Sequence, residues 1–146
     1  MTTPFVIKSS KDGLALEMSI ENSDCVIAKV SGTGLQAGAP VYTYMSQGIG
    51  QYFGDLANNW KGWQGKKEWS SLEGELKLKA SCDHLGHIFL SVHLINGAPP
   101  IWEIQADLTL EAGQLENLAT EARAFEAVAF NAANNSLQWT ALTGRR

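Results

Sequence analysis

The stretch from Leu76 to Leu110, LKLKASCDHLGHIFLSVHLINGAPPIWEIQADLTL, decides the fold. Leu76, Leu78 and Ala80 alternate with Lys77, Lys79 and Ser81, and Leu72 lies upstream in the same apolar register. Ile88, Leu90, Val92 and Leu94 alternate with His87, Phe89, Ser91 and His93. Trp102, Ile104, Ala106, Leu108 and Leu110 alternate with Glu103, Gln105, Asp107 and Thr109. A two-residue period places each set on one side of a strand. Asp83-His84-Leu85-Gly86 and Asn96-Gly97-Ala98-Pro99-Pro100 separate the runs with turn-forming chemistry. The reading is a three-stranded antiparallel meander with one apolar and one mostly polar face.

Working towards the N-terminus, the same period recurs. Phe5-Val6-Ile7 precedes a turn at Lys11-Asp12-Gly13, whose glycine is free to take positive φ. Leu14, Leu16, Met18 and Ile20 form a second strand, Asn22-Ser23-Asp24 turns the chain, and Val26, Ala28 and Val30 form a third. Gly32 to Pro40 reads as a Gly/Ala-rich loop leading to a strand at Val41–Met45. The period then lengthens. Ile49, Phe53, Leu56, Trp60 and Trp63 make an amphipathic helical stripe, with Ser46 as its cap and Gly62 as its stop. Gly50 and Gly54 weaken that helix by about 1 kcal/mol each.

Towards the C-terminus, Leu115, Leu118, Ala122, Phe125 and Ala129 mark a second helix over Gly113–Asn131, which Asn131, Asn134 and Asn135 should end. Leu137 to Leu142 alternates again and reads as a short edge strand. The expected architecture is α+β in one domain over residues 1–146. It is a curved, largely antiparallel sheet of about six or seven strands with both helices on one face.

Composition narrows the function classes. The chain is 45% apolar and carries a formal charge of −4, which favours a folded acidic protein over a disordered one. A dense basic face is missing, which argues against nucleic-acid binding. The run Met1-Thr2-Thr3-Pro4 has no basic start or apolar signal core, and no apolar run approaches a membrane span. A cytoplasmic protein without membrane contact is the expectation. Cys25 and Cys82, far apart in strand-like contexts, read as buried and reduced.

Three clusters could carry chemistry. Cys82-Asp83-His84-Leu85-Gly86-His87, with His93, has metal-ligand residue types, but Asp83 and Gly86 are ordinary turn residues and no second Cys or helical His pair supports zinc. No metal and no cofactor is expected. On the polar face, His87, Ser91 and His93 would lie beside Glu103 and Asp107 of the next strand. A histidine beside a carboxylate can act as a general base, so this face is a candidate ligand or partner surface. Its plainer reading is a solvated face with unlike charges paired across strands. Finally, Trp63, Lys66, Lys67 and Trp69 form a candidate partner loop, where an exposed Trp would mark a binding hot spot.

The run Trp60-x-Gly62-Trp63-x-Gly65-x-x-x-Trp69-x-Ser71-Leu72-Glu73-Gly74-x-Leu76, with Asp83-x-x-Gly86-His87 and Gly113-Gln114-Leu115, resembles a family of small bacterial proteins of unknown function over roughly residues 45–130. The resemblance implies no activity and no catalytic residues. In size and composition the chain is also similar to bacterial toxin-immunity proteins. The function expected is a small, soluble, non-enzymatic protein-binding module, an immunity or accessory protein in its most concrete form. The alternative is a small-molecule-binding or hydrolytic domain on the polar sheet face. Oligomeric state is open.

Overall fold

The computed structural model describes residues 3–22, 25–42 and 48–143, with side chains in the last helix up to Ala129. The fold is α+β, with eight strands in two four-stranded antiparallel sheets and two helices. The first sheet has the order β1 (Phe5–Lys8), β2 (Ala15–Ile20), β3 (Cys25–Gly32), β4 (Leu35–Tyr42). The helix α1 (Ile49–Asn58) follows. The second sheet runs β5 (Lys67–Ser70), β6 (Leu76–Cys82), β7 (His87–Asn96), β8 (Trp102–Glu111). A 3₁₀ turn at Ala112–Gln114 opens α2 (Leu115–Thr143).

The one curved sheet expected from sequence is therefore two. Alternation does bury one face of each: Phe5, Ile7, Leu16, Val30 and Val41 from the first, and Leu76, Leu78, Leu90, Leu94 and Leu108 from the second, all at 2% exposure or less. Both sets belong to one buried cluster with Phe53, Leu56, Leu118 and Phe125 of the helices. Where β4 approaches β7 the sheets cover each other, so the helices are not the only covers. The helices pack on one another, with α2 also on β1 and α1 on β5. Phe5 meets Phe53 edge-on at 5.5 Å between ring centroids.

Two strands were hidden by their residues. Most of the Gly32–Pro40 "loop" is β4, an edge strand, where Pro40 needs no ladder partner for its missing N–H. The strand β5 is short, and its single buried side chain is Trp69. Two helix ends also differ. The first helix stops at Asn58, so neither Trp60 nor Trp63 extends its stripe. The second continues through Asn131, Asn134 and Asn135 to Thr143, so the stretch read as an edge strand at Leu137–Leu142 is helical. Asn costs a helix less than about 0.7 kcal/mol per residue, too little to end it. The turn at Lys11–Gly13 uses no positive φ at its glycine. The Asp12 carboxylate accepts the Leu14 N–H at 3.0 Å instead. Ser23, Asp24, Tyr44, Met45 and the proposed cap Ser46 lie outside the described residues.

The sheets are also stitched together. Past the end of β1, Ser10 N–H donates to the Thr109 carbonyl at 2.7 Å, and Thr109 N–H donates to Ser9 Oγ at 3.0 Å. Gln114 Nε2 then donates to the Lys8 carbonyl at 3.1 Å. These bonds hold the N-terminal strand against β8 and the start of α2.

Candidate functional site

The register of β6, β7 and β8 sets the outer face of the second sheet. Lys79, Ser91 and Asp107 stand in one cross-strand row, and Lys77, His93 and Gln105 in the next. Glu103 lies opposite Ile95, diagonal to His93, yet its carboxylate reaches the imidazole, with His93 Nε2 and Glu103 Oε1 2.5 Å apart. Ser91 Oγ accepts a bond from Gln105 Nε2 at 3.1 Å. Among the described residues this hydroxyl makes no bond to His93.

At the other end of β7 the chemistry is different. Gly86 takes a φ of 86°, which closes the β6–β7 turn. The Asp83 carboxylate binds across that turn. Its Oδ1 accepts the amides of His87 at 3.0 Å and Leu85 at 2.8 Å, and Oδ2 meets His87 Nδ1 at 2.8 Å. The His87 amide bond, then its imidazole and the Leu85 amide, hold the Asp83 carboxyl down to about 2. The second imidazole nitrogen, His87 Nε2, faces Glu111 Oε1 at 3.9 Å.

The face thus brings together some of the expected groups and not others. His93 has Glu103, as the sequence suggests. His87 is oriented by Asp83 rather than by Glu103 or Asp107, because Glu111 is the residue opposite it. Six residues along a strand separate the two histidines, about 20 Å. They do not share a site. One row in from the β6–β7 turn stands Phe89, 42% exposed between Ser81 and Thr109. Sequence reading passed over it, although an aromatic on the polar side of an alternating strand was the available signal. Among the described residues no group of three His, Cys, Asp or Glu could hold a metal ion.

The residues of the candidate partner loop divide between core and surface. Trp69 is 6% exposed and part of the core, because β5 pairs with β6 and turns the indole inward opposite Leu78. Trp63 is half-buried, with its indole N–H donating to the Ala80 carbonyl at 3.1 Å. Its backbone N–H donates to Cys82 Sγ at 3.2 Å, and Cys82, like Cys25, is half-buried rather than fully buried. Lys67 pairs with Asp55 of α1 at 3.0 Å. Lys66 is exposed. Nearby, the Tyr52 hydroxyl donates to the Lys67 carbonyl at 2.9 Å, and burial, with Glu68 and Asp55 adding to it, pushes that hydroxyl above the usual tyrosine range. The segment is an anchor between α1 and the second sheet.

Ser71 and Gly74 of the motif shape the β5–β6 turn. Ser71 is buried, donates to Glu75 at 2.7 Å and accepts the Leu76 amide at 3.1 Å. Gly74, at φ 81°, completes this tight β5–β6 turn and leaves Leu72 51% exposed. Trp60 is 55% exposed.

A further feature lies between the helices. Gly50 and Gly54 on α1 face Arg123 on α2. A Cβ at Gly54 would stand 2.2 Å from Arg123 Nη2, and one at Gly50 would stand 3.0 Å from the Arg123 Cα. Glu126 Oε1 accepts the Gly50 amide at 3.0 Å, which places a carboxylate at the start of α1. Gly50, which weakens α1 in isolation, lets the α2 backbone approach, and Gly54 leaves room for the Arg123 guanidinium.

Among the described residues no helix is long and apolar enough to cross a membrane. No curated protein matches this chain, and no solved structure does. A family model does match, over a longer stretch than the motif suggested: by residues 10–128, the chain belongs to a family of unknown function, DUF6228.

Proposed function

We propose that this chain is a non-enzymatic protein-binding module whose contact surface is the outer face of the second sheet. A bacterial, cytoplasmic immunity or accessory role is its most concrete form. The observation that supports the reading is Phe89, 42% exposed on a face that otherwise carries mostly charged and polar groups. An exposed aromatic within a polar rim is the anatomy of a protein-binding hot spot. Lys77 and Lys79 on one side, and Glu103 and Asp107 on the other, give a partner an oriented pattern of charge. The alternative, a hydrolytic or small-molecule site, rests on the His93–Glu103 pair alone. Against it, Ser91 is engaged by Gln105 and His87 belongs to a separate pair.

The test compares tagged wild-type protein with Phe89→Glu and with Gln36→Glu, a control on the exposed side of the first sheet, in extracts of the cells that make it. A stoichiometric partner should be retained by wild type and Gln36→Glu and lost from Phe89→Glu. A partner retained equally by all three would overturn the assignment of this face.

A further inference from the structure

The groove between α1 and the start of α2 has a volume of about 640 Å³, within the usual range for small-molecule sites. Its floor includes small side chains, Ala57 and Ala119, and one of its walls is Trp60, an indole 55% exposed. Lys61 Nζ stands 5.5 Å from the Trp60 ring centroid and adds positive charge there. Arg123 lines the same groove, and among the described residues it has no carboxylate partner.

The guanidinium lies against α1 at Gly54. The atoms that a Cβ at Gly54 would meet are all in the head of Arg123: Nη2 at 2.2 Å, Cζ at 3.2 Å and Nε at 3.7 Å. The requirement at Gly50 includes the α2 backbone, but at Gly54 it is the guanidinium alone. The far end of a flexible side chain can shift away from an added Cβ, so Gly54 gives the exposed guanidinium room without fixing it. A guanidinium presents a planar fork of donors suited to a carboxylate, and a neighbouring indole presents a flat apolar face. Glu116 lies seven residues along α2, about 10 Å away, and disfavours a second negative charge at that end.

We propose that the α1–α2 groove binds a small aromatic monocarboxylate, its carboxylate on Arg123 and its ring against Trp60. This site is independent of the sheet face, which is built on other elements.

The probe is 2-naphthoate, titrated into the full chain and followed by ¹H–¹⁵N NMR, with the neutral 2-naphthamide as control. Saturable shifts are expected at the Trp60 indole N–H and at the amides of Gly54 and Ala119. Binding should weaken about tenfold or more for 2-naphthamide and for Arg123→Gln, which removes a charge-assisted pair. Trp60→Ala should weaken it as well. Arg123→Gln changes an exposed side chain, so its spectrum outside the groove should match wild type. Equal binding of the acid and the amide, unchanged binding in Arg123→Gln, or no shift at millimolar 2-naphthoate would each overturn the proposal.

Discussion

The two sheets are alike inside and unlike outside. Each is a four-stranded meander whose inner face is closed to solvent, with Ile7, Leu16 and Val30 at 0% in one and Leu78, Leu90 and Leu108 at 0% in the other. On the outside, the first sheet presents Ala15, Ser19, Ile27, Gln36, Gly38 and Pro40, with one unlike-charge cross-strand pair at Glu17 and Lys29. The second presents lysines on β6, histidines on β7 and carboxylates on β8. Since the first sheet forms with a nearly neutral exterior, burial of the inner face is enough to make such a meander. The charge on the second sheet is surplus to that need, which is why the proposed contact surface lies there.

The contrast can be tested by treating inner and outer positions separately. The largest effect should come from Trp69→Ala, which removes the one buried side chain of β5. Urea unfolding should show a loss of about 3–5 kcal/mol, the usual cost of truncating a buried Trp. A loss under about 1 kcal/mol would return Trp69 to the surface and restore the partner-loop reading.

Asp83 should give an intermediate effect, one that depends on pH. Its carboxyl is held at about 2, below the ordinary aspartate value near 3.9, so the ionised form is favoured by the fold. The contribution is complete above about pH 4 and is lost as pH falls to about 2. The stability gap between wild type and Asp83→Asn should therefore narrow over that window, and the Asp83 carboxyl should titrate near 2 by NMR. A gap that widens on acidification would contradict the turn geometry.

The smallest effects should come from Ser91→Ala, His93→Ala and Asp107→Ala. Each should change unfolding free energy by no more than about 0.5 kcal/mol, as for surface positions generally. A loss above about 1 kcal/mol at any of the three would make the outer charges part of the fold and remove the reason for assigning them a partner.

What was legible in the sequence follows the same division. Strands β6, β7 and β8 could be read because apolar and polar residues alternate over seven to ten positions, and their pairing places His93 within reach of Glu103. Strand β4 was obscured by Gly38 and Pro40, residues that signal loops but are tolerated on an edge. Alternation over six residues at Leu137–Leu142 was too short to distinguish a strand from the end of a helix. The His87–Asp83 pair required the shape of the turn, not merely its presence. The Arg123 slot could not be read at all, because it depends on the approach of two helices about seventy residues apart, and locally Gly50 and Gly54 signal only weakness.

The bonds from Ser9 and Ser10 to Thr109 also set an order of events in time, since they join positions 100 residues apart. Strands β1 to β4 can pair as they leave the ribosome, but the strand that fastens β1 has yet to be made. From the end of β4 at Tyr42 to Thr109 the delay is about 3–13 s at translation rates of 5–20 residues per second. Throughout it, the first sheet waits with its apolar face uncovered. Apolar surface exposed for such an interval is what makes a nascent chain prone to aggregate.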